Sequence, residues 1–222
     1  MKIRTKEELA DLIDKDLAWR KKELSALQAS VLSSNDKVLP TSLRCAVVML
    51  YAHWEGFVKN ATSYYINYVR YQKLNLNQLN NNFLAFSLKG KLNEFASTGK
   101  ATIQVEFIEY ILTKLNERAR FSENDAIKTS NLNSGVLKEM FASIGIDSTP
   151  YELKANLIDS QLLNYRNTIA HGNFLPVDKA EYQLLHGEVF TMLEQVRTDV
   201  SNAAVLELFK KAVSPAAVAV AP

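Results

Sequence analysis

Apolar residues recur at intervals of three and four along most of the chain, which is the spacing of one face of an α-helix. Three long segments show this pattern: residues 6–32, residues 40–74 and residues 178–213. The first follows the capping-box sequence Thr5-Lys6-Glu7-Glu8, which is typical of a helix start. The positions predicted to be buried are Leu9, Leu12, Ile13, Leu17, Leu24, Leu27 and Val31 in the first segment, Leu43, Val47, Leu50, Tyr51, Trp54, Phe57 and Val58 in the second, and Leu184, Leu185, Val189, Met192, Leu193, Val196, Val200 and Leu206 in the third. The pattern predicts a mostly helical protein whose second helix, with a wide apolar stripe, is central.

Shorter helices are predicted between the second and third segments. Their expected bounds are 83–95, with an interruption near Gly90, then 102–121, and then 136–144, which ends at Gly145. We interpret residues 1–213 as one domain and residues 75–156 as an insertion into it. Residues 214–222 are mostly Ala, Val and Pro without periodicity, so they are predicted to be a flexible tail.

Composition narrows the class of protein. Apolar residues make up 47% of the 222 residues, and seven Gly and five Pro are few, as expected for a compact helical protein. A net charge of +2 does not fit a protein that coats a polyanion, although it allows a local cationic pocket. The single cysteine, Cys45, excludes an internal disulfide and a cysteine-based metal cluster, and we expect it to pack in the core. No signal-peptide pattern is seen and no run approaches the roughly 18 apolar residues of a membrane span, so a cytoplasmic protein without a membrane segment is expected.

The stretch from Asp159 to Asn173, DSQLLNYRNTIAHGN, combines a predicted helix with a strong cation and an imidazole at its last turn. Asp159 or Ser160 can cap the start of this helix, and Gly172 supplies the left-handed residue at which many helices end. His171 is therefore predicted to lie in the last turn, where the partial negative charge of the carbonyl groups favours an imidazolium. Such a histidine can give or take a proton near neutrality.

Arg166, Asn167 and His171 are the candidate reactive side chains of this helix. At 100° per residue, Asn167 and His171 share a face, whereas Arg166 and His171 lie about 140° apart. The arginine and the histidine therefore converge on one ligand only if the last turn unwinds or if a second copy of the helix faces the first. This geometry predicts a site at a two-fold interface, to which each chain contributes one Arg and one His.

The sequence Arg166-Asn167-Thr168-Ile169-Ala170-His171 resembles the signature of the HEPN superfamily, in which a His follows an Arg after roughly four to six residues. The resemblance extends to the sequence Leu50-Tyr51-Ala52-His53-Trp54-Glu55-Gly56-Phe57-Val58-Lys59 of the second helix, which is similar to a prokaryotic HEPN subfamily. It implies an all-α fold, an antiparallel up-and-down helical bundle that is usually a homodimer. One branch of the superfamily continues the motif as His-x-Tyr, but Asn173 stands at the position of that Tyr, so a role that needs this phenol is not expected.

Many HEPN proteins are metal-independent RNA endonucleases used as toxins or in antiphage defence, and the resemblance implies this activity here. Attack by the neighbouring 2′-hydroxyl would leave 2′,3′-cyclic phosphate ends. Arg166 would bind the anionic phosphorane oxygens, His171 would transfer a proton or contact the 5′-oxygen, and Asn167 would orient His171 or contact the phosphate. No metal or cofactor is expected, and the implied partners are a second copy of the chain, RNA, and a cognate antitoxin or defence protein.

Two other functions remain open at this point. A catalytically silent HEPN dimer would bind a nucleotide or a partner protein and keep Arg166 as a phosphate anchor. An all-helical adaptor would use Arg166 and His171 only to close a helix. The insertion at residues 75–156 could cover the site, select RNA or extend the dimer contact, and its sequence does not choose among these.

His53 and Glu55 interrupt the apolar face of the second helix. Burying either side chain costs free energy unless it is paired, so each needs a partner. They either make ordinary hydrogen bonds or reach the pocket of Arg166 and His171, where Glu55, ranked ahead of His53, would orient one of those groups. Two residues apart on a helix, they point about 200° from each other, which does not suit a shared metal ion.

Lys59, Tyr64 and Arg70 belong to a run of cations and tyrosines later in the same helix. Aromatic rings among cations can stack on bases and neutralise phosphates, so these three side chains are candidate RNA contacts. The alternative is a set of core or interface tyrosines with solvated cations. His186, alone on the last helix, is expected to be an ordinary hydrogen-bonded histidine.

Overall fold

The computed structural model describes residues 1–120 and 131–212, whose regular secondary structure is helical apart from two isolated antiparallel bridges. The α-helices of these residues are α1 (Lys6–Leu32), α2 (Leu39–Tyr71), α3 (Asn81–Ala96), α4 (Ala101–Lys114), α5 (Ser134–Ile144), α6 (Thr149–Glu152), α7 (Asn164–Ala170) and α8 (Lys179–Val205). A 3-10 turn (Leu76–Gln78) precedes α3, and a π-helical segment (Leu157–Leu163) leads directly into α7. The predicted all-α class is confirmed.

The long helices begin where the sequence predicts. The hydroxyl of Thr5 accepts the backbone N–H of Glu8, and the Glu8 carboxylate accepts the N–H of Thr5, so the predicted capping box of α1 is confirmed. Asp178 caps α8 by accepting the N–H of Glu181 at 2.7 Å. That helix ends at Val205, earlier than predicted, because Glu207 adopts a left-handed φ of 54°, which no helix interior tolerates.

Helices α1, α2 and α8 pack against one another and form the centre of the molecule. Helix α1 runs antiparallel to both α2 and α8, and α2 therefore runs parallel to α8. The hydrogen bonds that establish this order are Gln72 to the Arg4 carbonyl and Asn60 to Asp16 between α2 and α1, and Lys6 to the Val205 carbonyl, Arg197 to Asp14 and His186 with the Leu24 carbonyl between α1 and α8. The predicted antiparallel arrangement holds for α1 with each of its neighbours.

The predicted buried faces are nearly all buried, and the exceptions have a simple cause. All seven α2 positions are buried, and the α1 positions are buried or packed against the core. Leu184 and Leu206 were predicted wrongly, since they are 62% and 67% exposed. Leu185 takes the core position next to Leu184, and Leu206 follows the end of α8. Cys45 is exposed and not in the core, because its neighbour Ala46 occupies the buried face of α2.

Residues 75–156 contain α3 to α6. Helix α3 passes through Gly90 without the predicted interruption, and α4 ends at Lys114, before the predicted end at Phe121, which lies outside the described residues. The end of α5 at Gly145, which has a left-handed φ of 72°, is confirmed. The predicted tail 214–222 also lies outside the described residues. None of the helices within 1–120 and 131–212 combines the length and apolar character needed to cross a lipid bilayer.

Candidate functional site

Helix α7, which carries the Arg-to-His motif, is tied to its surroundings at its beginning. Ile158 and Leu162 of the preceding π-helical segment are fully buried. Contrary to the prediction, Asp159 does not cap its own helix, because the helical segment already begins at Leu157, upstream of both Asp159 and Ser160. Its carboxylate instead accepts the backbone N–H and the hydroxyl of Ser134, both at 2.6 Å, and so joins this segment to the start of α5. A π-helical turn is uncommon and often lies at a functional site.

The end of α7 is a Schellman turn, which fixes the position of His171. The backbone hydrogen bonds of this turn are His171 to Asn167, Gly172 to Ile169 and Asn173 to Thr168, each at 3.0 Å. Gly172 has a φ of 79°, which confirms its predicted helix-ending role. His171 is the C-terminal cap and is exposed. The last turn stays helical, so within one chain the side chains of Arg166 and His171 keep their angular separation of about 140°.

The guanidinium group of Arg166 is held from one side. Its carbon Cζ lies 5.1 Å from the centre of the Tyr51 ring, in the geometry of a cation–π contact. Its Nη1 donates to Oδ1 of Asn131 at 3.1 Å and to Oδ1 of Asn167 at 2.7 Å. Within the described part of the chain, Nε and Nη2 make no hydrogen bond. Part of the planar donor fork is therefore left for an anion.

Tyr51 and Asn131 complete this arrangement, and sequence reasoning did not identify either as a site residue. The Tyr51 hydroxyl accepts the backbone N–H of Leu132 at 2.7 Å, which brings the segment around Asn131 onto α2. Burial, helped by the negative charge of Glu55, raises the pKa of Tyr51 to about 12, so the phenol stays protonated. Asn131 has a left-handed φ of 69°, a conformation in which Asn is enriched. The sequence signals for Tyr51 are its place in the HEPN-like sequence from Leu50 to Lys59 and its position one turn before Glu55.

Glu55 lies beside this site and not in direct contact with Arg166. Its carboxylate pairs with Lys59 at 2.7 Å, and both side chains are mostly buried, at 16% and 24% exposure. Its negative charge also raises the pKa of the Tyr51 hydroxyl, and the ring of Tyr51 packs against the guanidinium group of Arg166. Tyr51 is therefore a common neighbour of Glu55 and Arg166.

His53 faces the opposite side of α2. Its Nε2 lies 2.9 Å from a carboxylate oxygen of Glu23, and its ring meets Trp19 edge-on at 5.2 Å. Arg20 donates to the His53 carbonyl at 3.3 Å, and burial lowers the pKa of the imidazole. The structure thus places His53 against α1 and not against Arg166. This agrees with helix geometry, in which residues two apart, such as Tyr51 and His53, point about 200° from each other.

The three candidate RNA contacts on α2 are not together. Lys59 is paired with Glu55 on the face that carries Tyr51. Tyr64 is half-buried, and burial together with the charge of Asp16 raises its pKa, so it faces α1. Arg70 is exposed in the last turn of α2, about 28 Å along the helix axis from Tyr51 at 1.5 Å per residue. Lys59 is the only one of the three that lies close to the candidate site.

Other titratable groups have local explanations. His186 is buried, its Nε2 lies 3.3 Å from the Leu24 carbonyl oxygen and its ring centre lies 4.5 Å from that of Phe190, so the expectation of an ordinary bonded histidine is confirmed. No three or more His, Cys, Asp or Glu side chains are grouped as a metal site would require among residues 1–120 and 131–212.

The chain matches the model of a known protein family. The model of the HEPN_MAE_28990-like HEPN family matches residues 9–209, a range that includes most of α1 and all of α2, the Arg166–His171 motif and α8. Comparisons with curated proteins and with solved structures gave no significant match.

Proposed function

Because the chain belongs to the HEPN superfamily, we propose that it is a metal-independent endoribonuclease that acts as a toxin or an antiphage-defence effector. The observation that carries this proposal is the state of Arg166. Tyr51, Asn131 and Asn167 hold its guanidinium group, while Nε and Nη2 have no hydrogen-bond partner in the described residues. A cation placed in this way suits the binding of a phosphate group.

In the proposed reaction, the 2′-oxygen of a ribose attacks the adjacent phosphorus and the bond from phosphorus to the 5′-oxygen breaks. The 2′-hydroxyl loses its proton, and the departing 5′-oxygen gains one. The products are a 2′,3′-cyclic phosphate and a 5′-hydroxyl. His171, exposed at the end of α7, is the group that transfers a proton or contacts the 5′-oxygen.

Arg166 stabilises the extra negative charge of the phosphorane through its remaining N–H groups. The contacts from Tyr51 and Asn131 restrict the guanidinium before substrate binds, which lowers the cost of ordering it in the transition state. Asn167 accepts from Arg166 through its oxygen, so its amide N–H₂ can donate to the phosphate or to His171. Glu55 acts indirectly, through the effect of its charge on Tyr51 and through its ion pair with Lys59.

We also propose that the active form is a homodimer in which α7 faces its symmetry mate. Arg166 and His171 point in different directions, and the Schellman turn keeps the last turn helical. One phosphate can therefore contact both groups only if one comes from each chain. HEPN domains commonly dimerise, which fits this arrangement. A mass from analytical ultracentrifugation that corresponds to a monomer at all concentrations would contradict it.

RNA cleavage in the presence of EDTA tests the mechanism. The wild-type protein is expected to cleave RNA, to leave 2′,3′-cyclic phosphate ends and to spare DNA of the same sequence. The variants His171→Ala and Arg166→Lys are each expected to lose about 10²- to 10³-fold in rate, the usual cost of removing one group that stabilises the transition state. Arg118→Lys, an exposed arginine elsewhere, is the matched control and should cleave like wild type. Equal cleavage by His171→Ala, or loss of cleavage with EDTA, would refute the mechanism.

Expression in cells tests the proposed role. A toxin or defence effector should arrest growth when it is expressed without a neutralising partner, and the His171→Ala form should not. If the purified dimer binds a nucleotide and leaves RNA intact, the protein is a silent HEPN dimer instead.

A further inference from the structure

Phe174 is the most exposed large aromatic side chain in the described residues, at 78% exposure, and it follows His171 by three residues. Phenylalanine is usually buried, and a lone exposed side chain needs no explanation by itself. Here the loop around it is anchored at both ends. The Schellman turn fixes Gly172 and Asn173 on one side, and Val177 is buried on the other.

Arg44, from the beginning of α2, is the neighbour of this ring. Its Nη2 donates to the carbonyl oxygen of Asn173 at 3.0 Å, and its Cζ lies 5.6 Å from the centre of the Phe174 ring. The guanidinium group thus ties down the loop and lies over the aromatic ring. A largely exposed ring beside a cation is the combination that binds unpaired nucleotides, since the ring stacks on a base and the cation contacts a phosphate.

The position relative to His171 connects this pair to the proposed site. Three residues span at most about 11 Å between Cα atoms. A nucleic-acid strand advances about 3.4 Å per stacked nucleotide, so a base on Phe174 would lie within about three nucleotides of a phosphate at His171.

We propose that Phe174 and Arg44 form a stacking platform for an unpaired base of the RNA substrate close to the scissile phosphate. This inference rests on the proposed function, which supplies RNA as the ligand. Every base has a π face, so the platform favours single-stranded or looped RNA without reading its sequence. It also holds single-stranded DNA, which lacks the 2′-hydroxyl and is not cleaved.

Fluorescence polarisation with a labelled oligoadenylate of about 12 nucleotides tests the platform. All variants carry His171→Ala, so that binding is measured without cleavage. Phe174→Leu keeps an apolar side chain and removes the π face, and it is expected to weaken binding about 5- to 150-fold. Phe174→Trp should retain affinity. Leu153→Ala truncates a side chain that is 92% exposed elsewhere, and this matched control should bind like its parent.

Salt dependence separates the two parts of the platform. Arg44→Gln removes one cation from a phosphate, so the slope of log affinity against log salt should fall by about 0.7. Phe174→Leu should lower the affinity and leave this slope unchanged.

Three outcomes would overturn the platform. The first is equal affinity of Phe174→Leu and its parent. The second is a parent that binds no RNA. The third is loss of the dimer in Phe174→Leu by analytical ultracentrifugation, which would assign Phe174 to a contact between copies of the chain. A parallel cleavage assay with His171 intact keeps the two proposals apart. If the protein cleaves RNA and Phe174→Leu does not change binding, only the platform proposal is refuted. If binding depends on Phe174 but the protein does not cleave RNA, only the nuclease proposal is refuted.

Discussion

Replacing Gly56 by alanine is expected to destabilise the protein, although alanine is the better helix former. A β-carbon at position 56 would lie 2.8 Å from Nη1 of Arg20, closer than such atoms approach, and 3.2 Å from Nη2, which is tighter than most such contacts. The Arg20 side chain cannot simply swing away, because it is buried between α1 and α2. Its Nε lies 3.2 Å from a carboxylate oxygen of Asp16, and its Nη1 donates to the His53 carbonyl. The new methyl group therefore has to displace a guanidinium group that is held at two points.

The size of the effect follows from two opposing contributions. Loss of the charge-assisted hydrogen bond from Arg20 to the His53 carbonyl costs about 1.5–3 kcal/mol. The better helix propensity of alanine offsets about 0.5–1 kcal/mol of this loss. The free energy of unfolding of Gly56→Ala is thus expected to fall by about 0.5–2.5 kcal/mol relative to wild type.

Urea unfolding followed by circular dichroism measures this difference. Gly187→Ala is the matched control, because Gly187 is also inside a helix and a β-carbon there has no heavy atom within 4 Å. That control should stabilise the protein by about 0.5–1 kcal/mol. In an Arg20→Ala background, Gly56→Ala should become neutral or stabilising, since the clash is gone. If Gly56→Ala alone stabilised the protein as much as Gly187→Ala, the argument from the Arg20 contact would be wrong.

Three further predictions concern the site and the core. Asn131→Ala and Asn131→Gly should both slow RNA cleavage, because each removes the oxygen that accepts a hydrogen bond from Arg166. Only the alanine variant should lose about 1–2 kcal/mol of stability, because alanine is disfavoured at the left-handed φ of position 131. Equal stabilities of the two variants in urea would contradict this. Tyr51→Phe keeps the ring under Arg166 and should cleave faster than Tyr51→Leu, while losing about 1–3 kcal/mol of stability because the N–H of Leu132 loses its acceptor. Burial lowers the pKa of His186 below its ordinary value of 6.5, so on acidification the unfolded chain takes up a proton before the folded one. The stability that comes from keeping this imidazole neutral is fully present above pH 6.5 and is lost as the pH falls below 6.5. His186→Gln should therefore lose less unfolding free energy than wild type between about pH 8 and about pH 5, and an equal loss in both would show that this histidine does not titrate on unfolding.

The amino-acid sequence by itself determined the long helices and the ends of several of them. Capping by Thr5 and termination by Gly145 and Gly172 depend on residues within one turn, so local sequence is sufficient to predict them. The sequence also placed His171 at a helix end, and it provided the HEPN resemblance that the family match supports. Helical periodicity predicted that the side chains of His53 and Glu55 point in different directions, because the angle between them depends only on the helix itself.

Only the tertiary structure decided what each helix face meets. Tyr51 and Asn131 come to Arg166 from segments far away in the chain, and no local pattern encodes that encounter. Asp159 binds Ser134 at the start of α5 and does not cap its own helix, for the same reason. Periodicity tells which residues share a face, but the partner of that face depends on how all the helices pack together.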